Sequence, residues 1–206
     1  METNHDAFIS KNSLWQDFLA GDRNAYAQLF YLYSDAMFAY GKKITSDSEL
    51  VKDTIQDVFV KLYHNRLNLN DTEYIKGYLF MAMKRTLLNR LQSRTILSID
   101  NEEEVRFEIE LLSQQSSSEE NESESNYSDE QRHQLALALE KLTPRQREAI
   151  YLYYIQEIPL NEIPALLGMN YQSTRNLLHR AILKLRESFT PSQVGMSVVL
   201  LQFLSR

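Results

Sequence analysis

With 206 residues, 43% of them hydrophobic, and 22 Lys/Arg against 28 Asp/Glu, the chain has material for one domain or for two small ones. It contains no cysteine, which excludes a disulfide framework and a thiolate metal site. Only five glycines and four prolines interrupt it, so helices are favoured over turn-rich sheets and the expected class is all-α. The first thirteen residues, METNHDAFISKNS, hold acids and polar groups where a signal peptide needs a basic stretch and an apolar run, so a cytoplasmic location is expected. The longest apolar stretch, residues 196–204, falls well short of the roughly 20 residues that cross a bilayer, and no membrane span is expected.

In chain order, Tyr26, Phe30, Tyr33, Met37 and Tyr40 recur at spacings of four, three, four and three, which predicts one apolar helix face with Asp22 as its cap. The stretch SDSELVKDTIQDVFVKLYHN repeats the pattern with Val51, Ile55, Val58 and Leu62 inward and Asp53, Gln56, Asp57 and Lys61 on the other face. A third helix is predicted over residues 74–94, with Leu79, Met83, Leu87 and Leu91 inward and Lys84, Arg85, Asn89, Arg90 and Arg94 among them. Three such stripes pack as a bundle. Residues 98–130 then hold one Lys/Arg against twelve Asp/Glu, so this one segment more than accounts for the net charge of −6; the parts before and after it carry +1 and +4. Between Ser113 and Glu130 only Tyr127 is apolar, and like charges repel, so the segment reads as a flexible acidic linker. Its carboxylates either merely solvate a tether or compete with nucleic acid for a basic channel.

Beyond the linker, Ser128 and Asp129 are expected caps, and Leu135, Leu139 and Leu142 form the next stripe. Thr143-Pro144-Arg145-Gln146 combines a capping Thr, a proline at the first helical position and a Gln that reaches back to the cap, which predicts a new helix through Ala149, Ile150, Tyr153 and Tyr154, ending before Pro159. Ile163, Leu166 and Leu167 face inward on a short helix, Gly168 suits the left-handed residue that ends it, and Asn170 caps the helix that follows. This is the layout of a helix-turn-helix. In its second helix Thr174, Leu178, Ala181 and Leu185 turn inward, while Arg175, Asn176, His179 and Arg180 project outward, where a recognition helix meets the major groove. Arginine bonds guanine bidentately, asparagine suits adenine, and either also holds phosphate.

The stretch LTPRQREAIYLYYIQEIPLNEIPALLGMNYQSTRNLLHRAILKLRE resembles the fourth conserved region of extracytoplasmic-function sigma factors of the sigma-70 family. DTIQDVFVKLY resembles the second-region helix that grips the clamp helices of the polymerase β′ subunit, and YIKGYLFMAMKRTLLNRLQSR resembles the adjacent promoter-melting segment. The match runs in order over about residues 14–94 and 129–189. It implies two small helical domains, a bundle over residues 10–96 and a helix-turn-helix domain over 129–190, joined by a linker over 97–128 and followed by an apolar tail over 191–206. It further implies that Asp53, Gln56, Asp57 and Lys61 face the polymerase, that Lys84, Arg85, Asn89 and Arg90 line the site that opens the −10 element and captures a flipped base, and that Arg175, Asn176, His179 and Arg180 read the −35 element. Tyr74, Tyr78 and Phe80 are nearby aromatics, either stacking partners or core residues. The implied partners are core RNA polymerase through its β′ and β subunits, promoter DNA, and a membrane-associated anti-sigma factor that clamps the two domains; no cofactor, metal or enzymatic activity is implied.

This chain departs from the family pattern at several positions. Arg85 stands where many relatives have Asn, and Leu177 replaces a frequent Arg, either to meet a thymine methyl or to join the core. Pro159 and Pro164 replace a capping Ser and an Ala, so a shortened or shifted helix is expected there. An enzyme is disfavoured, because the chain has no phosphate-binding Gly-rich loop, no Cys nucleophile and no His-x-x-x-His pair. The alternatives are a stand-alone helix-turn-helix regulator, with residues 14–94 as a sensing domain, and a protein-binding helical adaptor. The tail, with Val198, Val199, Leu201 and Leu204, either contributes to anti-sigma binding or packs on its own domain.

Overall fold

A computed structural model describes residues 13–69, 74–95 and 129–188. The expected linker, the tail and the Ser128 cap lie outside the described residues. The chain divides into two compact units, Met1–Glu104 and Val105–Arg206, and the division falls within the acidic stretch. Every described element is helical, as the composition predicts.

The first unit opens with α1 (residues 13–19), from which Trp15 and Phe18 point into the core. Gly21, at φ +98°, turns the chain, and the Asp22 carboxylate then accepts the Asn24 N–H at 2.7 Å to start α2 (Arg23–Ile44). The buried line of α2 is Ala25, Leu29, Tyr33, Met37, Tyr40 and Ile44. Tyr26 and Phe30, expected on that line, sit half-buried beside it, because their rings reach sideways to α3 (Ser48–Asn65). Tyr26 meets Tyr63 with ring centres 5.2 Å apart, and Phe30 meets Phe59 at 5.0 Å. Edge-on contacts of this kind add to the area they bury.

On α3 all four expected inward residues, Val51, Ile55, Val58 and Leu62, are buried. A short 3-10 turn, Arg66–Asn68, follows, and Arg66 folds back over the Tyr63 ring at 4.6 Å. Then α4 (Ile75–Thr95) buries Leu79, Phe80, Met83 and Leu87, while Leu91 is only half-buried. Phe80 stacks on Tyr40 and is a core residue; Tyr78 packs edge-on against Trp15. The three long helices pack pairwise, and Gly41 lies where all three meet.

Two cross-links join α3 to α4. Asp47 caps α3 by accepting the Leu50 N–H at 2.9 Å, and its second carboxylate oxygen accepts from Arg94 at 2.7 Å. Arg90 bonds Asp57 and Thr54 further along α3. Residue numbers rise along one helix as they fall along the other, so α3 and α4 run antiparallel.

The second unit holds α5 (Asp129–Glu140), α6 (Pro144–Ile150), α7 (Ile163–Leu167) and α8 (Tyr171–Glu187). The capping box at Thr143 forms in both directions, with Gln146 N–H on the Thr143 hydroxyl and Thr143 N–H on the Gln146 amide oxygen. Past Ile150 the helix widens into a π turn over Tyr151–Ile155. The extra residue in that turn rotates the register, so Tyr151 and Leu152 are buried and Tyr153 and Tyr154, expected on the helix's apolar face, are only half-buried. Gln156 closes the turn, its backbone N–H on the Tyr151 carbonyl and its side-chain amide on the Tyr151 hydroxyl at 2.8 Å.

At Gly41 an added β-carbon would overlap Met83 Cε and lie 2.6 Å from Val51 Cγ1. Alanine favours a helix interior by about 1 kcal/mol over glycine, whereas overpacking costs about 1–3 kcal/mol. Gly41→Ala is therefore expected to lower the urea midpoint of the first unit. A second expectation concerns pH. The Leu50 cap bond, with help from Arg94, holds the Asp47 carboxyl below its ordinary 3.8. A carboxyl depressed by folding stabilises the folded state above the ordinary value and loses that contribution as pH falls through the lowered one. The stability gap between wild type and Asp47→Asn should thus be wider at about pH 6 than at about pH 3, as read by urea denaturation.

Candidate polymerase and nucleic-acid surfaces

The helix-turn-helix is built by local bonds. Pro164 sits at the second position of α7, where a missing N–H leaves no helical bond broken, and α7 is only five residues long, as the proline predicts. Gly168 adopts φ 62°, ψ 39°, and the N–H groups of Gly168 and Met169 both reach the Pro164 carbonyl. The Asn170 side chain accepts the Ser173 N–H at 2.8 Å and starts α8. Ile163, Leu166 and Leu167 from α7 and Thr174, Leu178, Ala181 and Leu185 from α8 are buried together with Leu177. Of the two readings open for Leu177, the structure selects the core, since only 8% of it is exposed.

Arg175, Asn176, His179 and Arg180 are all exposed on α8. The Arg180 Nε–H bonds the Asn176 backbone carbonyl at 3.3 Å, and Gln172 donates to the Asn176 side-chain oxygen at 3.2 Å. Gln172 and Tyr171, both exposed, stand at the N-terminal end of this face and were missing from the expected set. The i, i+4 step from Asn176 back to Gln172 is the signal that extends the face by one turn. Lys184 extends it at the other end.

In the first unit Asp53, Gln56 and Lys61 are exposed on α3, and Asp57 is half-buried. Val60, half-exposed, lies on the same face at i+4 from Gln56, an apolar member that sequence reasoning left unassigned. On α4, Arg85 and Asn89 are exposed, one turn apart, whereas Lys84 and Arg90 are half-buried. The structure brings together two residues expected in different sites, because the Arg90 guanidinium bonds the Asp57 carboxylate and also reaches Thr54 Oγ1 at 3.3 Å. Among the described residues no cluster of His, Asp and Glu is arranged to hold a metal, and no helix is long and apolar enough to cross a membrane.

Fold and site thus define a helix-turn-helix unit whose exposed face offers cations and amides, preceded in the same chain by a helical bundle whose α3 presents Asp53, Gln56, Asp57 and Lys61. The family described as Sigma-70, region 4 matches residues 138–187, the segment that holds α6, α7 and α8. The RNA polymerase sigma-E factors of Streptomyces coelicolor and Streptomyces avermitilis are each 26% identical to the chain over 153 residues. These matches cover 74% of the chain and 79% and 78% of the two relatives. Among solved structures, RpoE of Bartonella quintana, determined with the anti-sigma factor NepR, aligns with a TM-score of 0.55 at 19% identity over 79% of this chain and 95% of that one. CnrH, determined with the cytosolic domain of CnrY, aligns with a TM-score of 0.52 at 20% identity over 86% and 95%. Residues 138–187 thus carry a sigma-70 region 4 segment, and the chain as a whole is similar to sigma factors of the extracytoplasmic-function type, which are transcription initiation factors.

A β-carbon at Gly168 would meet nothing within 4 Å, so glycine is required there by φ alone and not by space. The left-handed conformation costs other residues about 1–2 kcal/mol, and asparagine less. Gly168→Ala should lower the melting temperature of the second unit and Gly168→Asn should lower it less, as followed by circular dichroism.

Proposed function

We propose that the chain binds core RNA polymerase and directs it to promoters, with each unit carrying one part of the task. The face of α3 with Asp53, Gln56, Asp57 and Lys61 docks on the β′ clamp helices, and Val60 adds apolar area at its centre. Lys84, Arg85 and Asn89 of α4 meet the opened −10 strand. Arg90, expected in that set, is engaged by Asp57 and Thr54. The second unit contacts the β subunit and sets α8 in the major groove of the −35 element, where Arg175, Asn176, His179 and Arg180, extended by Gln172, read base edges and phosphates. The domain limits are 10–96 and 129–190, with the acidic segment 97–128 between them.

The observation that carries this reading is the pairing, in one chain, of an acidic helix face in the first unit with a helix-turn-helix in the second whose exposed side chains are cations and amides. A stand-alone regulator accounts for the second unit only. The relatives named as RNA polymerase sigma-E factors support the polymerase as partner. The solved relatives bound to an anti-sigma factor and to the cytosolic domain of CnrY support control by an anti-sigma factor, which we take to be membrane-associated. The chain acts in the cytoplasm, without catalysis of its own and without a cofactor.

Charge predicts how the units work together. With +1 before the acidic segment and +4 after it, the free chain carries little of the positive charge that phosphate binding demands, so stable DNA binding needs polymerase contacts. Mixed with sigma-free core enzyme, the chain is expected to initiate specific transcripts from promoters selected out of a random library, and alone to bind those promoters weakly. Asp53→Lys should weaken core binding by about tenfold or more, equivalent to about 1.4 kcal/mol or more. Tight promoter binding by the chain alone, with no transcript on adding core, would favour the stand-alone regulator.

A further inference from the structure

We infer that Arg90 serves promoter opening at one remove, as the positioning residue that fixes the Asp57 carboxylate on the docking face of α3, and that it is not a contact to the opened strand. The inference rests on the reading of α3 as the polymerase-docking helix.

Three observations carry it. Two nitrogens of the Arg90 guanidinium are committed to α3, Nη2 to Asp57 Oδ2 and Nη1 to Thr54 Oγ1. Thr54 is fully buried, and its hydroxyl donates to the Leu50 carbonyl at 2.6 Å, so its oxygen is aimed by the helix and can accept from Arg90. Arg90 is therefore held at both ends of a fork rather than swinging with a single carboxylate. Second, its side chain is 30% exposed, whereas Arg85 and Asn89 stand on the exposed side of the same helix. A guanidinium turned toward α3 would have to give up both bonds to offer that same edge of its fork to a base. Third, the arrangement repeats one turn on, where Arg94 holds the carboxylate that caps α3 at Asp47. Arg90 and Arg94, four residues apart on α4, thus align two carboxylates of the antiparallel helix.

The Asp57 side chain remains 44% exposed, so it is oriented but still open to a partner. A carboxylate held in one rotamer loses less freedom when it docks, and its bond geometry is set in advance. A single part-exposed ion pair contributes modestly to folding beside the buried core, so removing Arg90 should leave the bundle folded while loosening Asp57. This distinguishes a positioning role from a merely structural one.

The test uses the full chain, sigma-free core polymerase and a promoter selected with the wild-type holoenzyme. Core affinity is measured by competition, and strand opening by permanganate reactivity at saturating core. Arg90→Ala and Asp57→Ala are each expected to weaken core binding by about five- to tenfold, equivalent to about 1.0–1.4 kcal/mol, and the double variant to be no weaker than Asp57→Ala. Arg90→Lys should recover part of the loss, and permanganate reactivity of Arg90→Ala at saturation should match wild type. The inference is overturned if Arg90→Ala binds core like wild type, if the two losses multiply in the double variant, or if reactivity falls at saturation, which would make Arg90 a strand contact. Should Arg90→Ala not fold by circular dichroism, the exchange Asp57→Arg with Arg90→Asp keeps an ion pair between the helices. Loss of core binding by that folded exchange supports the role of a carboxylate at 57, and full binding by it overturns it. Failure of the wild-type chain to bind core is a separate result, seen before any variant, that overturns the docking reading and this inference together.

Discussion

The close approach of α2, α3 and α4 is the constraint on which the first unit rests. Val51 from α3 and Met83 from α4 converge on the one α2 position that has no side chain, Gly41, and the apolar stripes of all three helices close around it. Burial of those stripes, rather than any surface ion pair, supplies the stability, at about 1.5–3 kcal/mol for each large side chain taken out of water. Because α3 and α4 are locked at this spacing, their outer faces are fixed in register with each other. The faces proposed for docking and for strand holding thereby lie on adjacent antiparallel helices, and the Asp57–Arg90 and Asp47–Arg94 pairs link those helices on a frame set by the core.

The second unit reaches its geometry by another route. Its α6 and α7 are short, and local bonds set the helix limits: the capping box at Thr143, the π turn at Tyr151–Ile155, the left-handed Gly168 and the Asn170 cap. Each leaves a helix end satisfied and aims the next element. The result is α8 with one face buried against α6 and α7 and the other offering cations and amides. A unit whose turns are specified residue by residue in this way presents α8 on a core shared by its short neighbours.

A division of labour by charge follows. Neither half carries the excess of cations typical of proteins that hold DNA unaided, and α3 carries acids on its outer face. Docking on a large partner that supplies its own DNA contacts suits such a chain. On the proposed function, modest charge also limits nonspecific occupation of DNA by the free protein and leaves recognition to the assembly.

The helical class, the stripes at Val51, Ile55, Val58 and Leu62 and at Leu79, Met83 and Leu87, and the whole turn from Ile163 to Asn170 were legible in the sequence, because each depends on residues within a turn or two of one another. Periodicity and capping are local, and so they can be read locally. The exposed face of α8 was legible for the same reason, apart from its first turn. What only the tertiary structure decided is which side chains meet across helices. Tyr26 and Phe30 left the expected core line because rings on α3 offered edge contacts, and the π turn exchanged Tyr153 and Tyr154 for Tyr151 and Leu152. Arg90, one cation among several on α4 by sequence, acquired Asp57 and Thr54 as partners from 33 and 36 residues away. No spacing rule reports such a pairing, since it arises only when two helices are packed antiparallel at a definite depth, and that depth is set by the volumes of buried side chains contributed by all three.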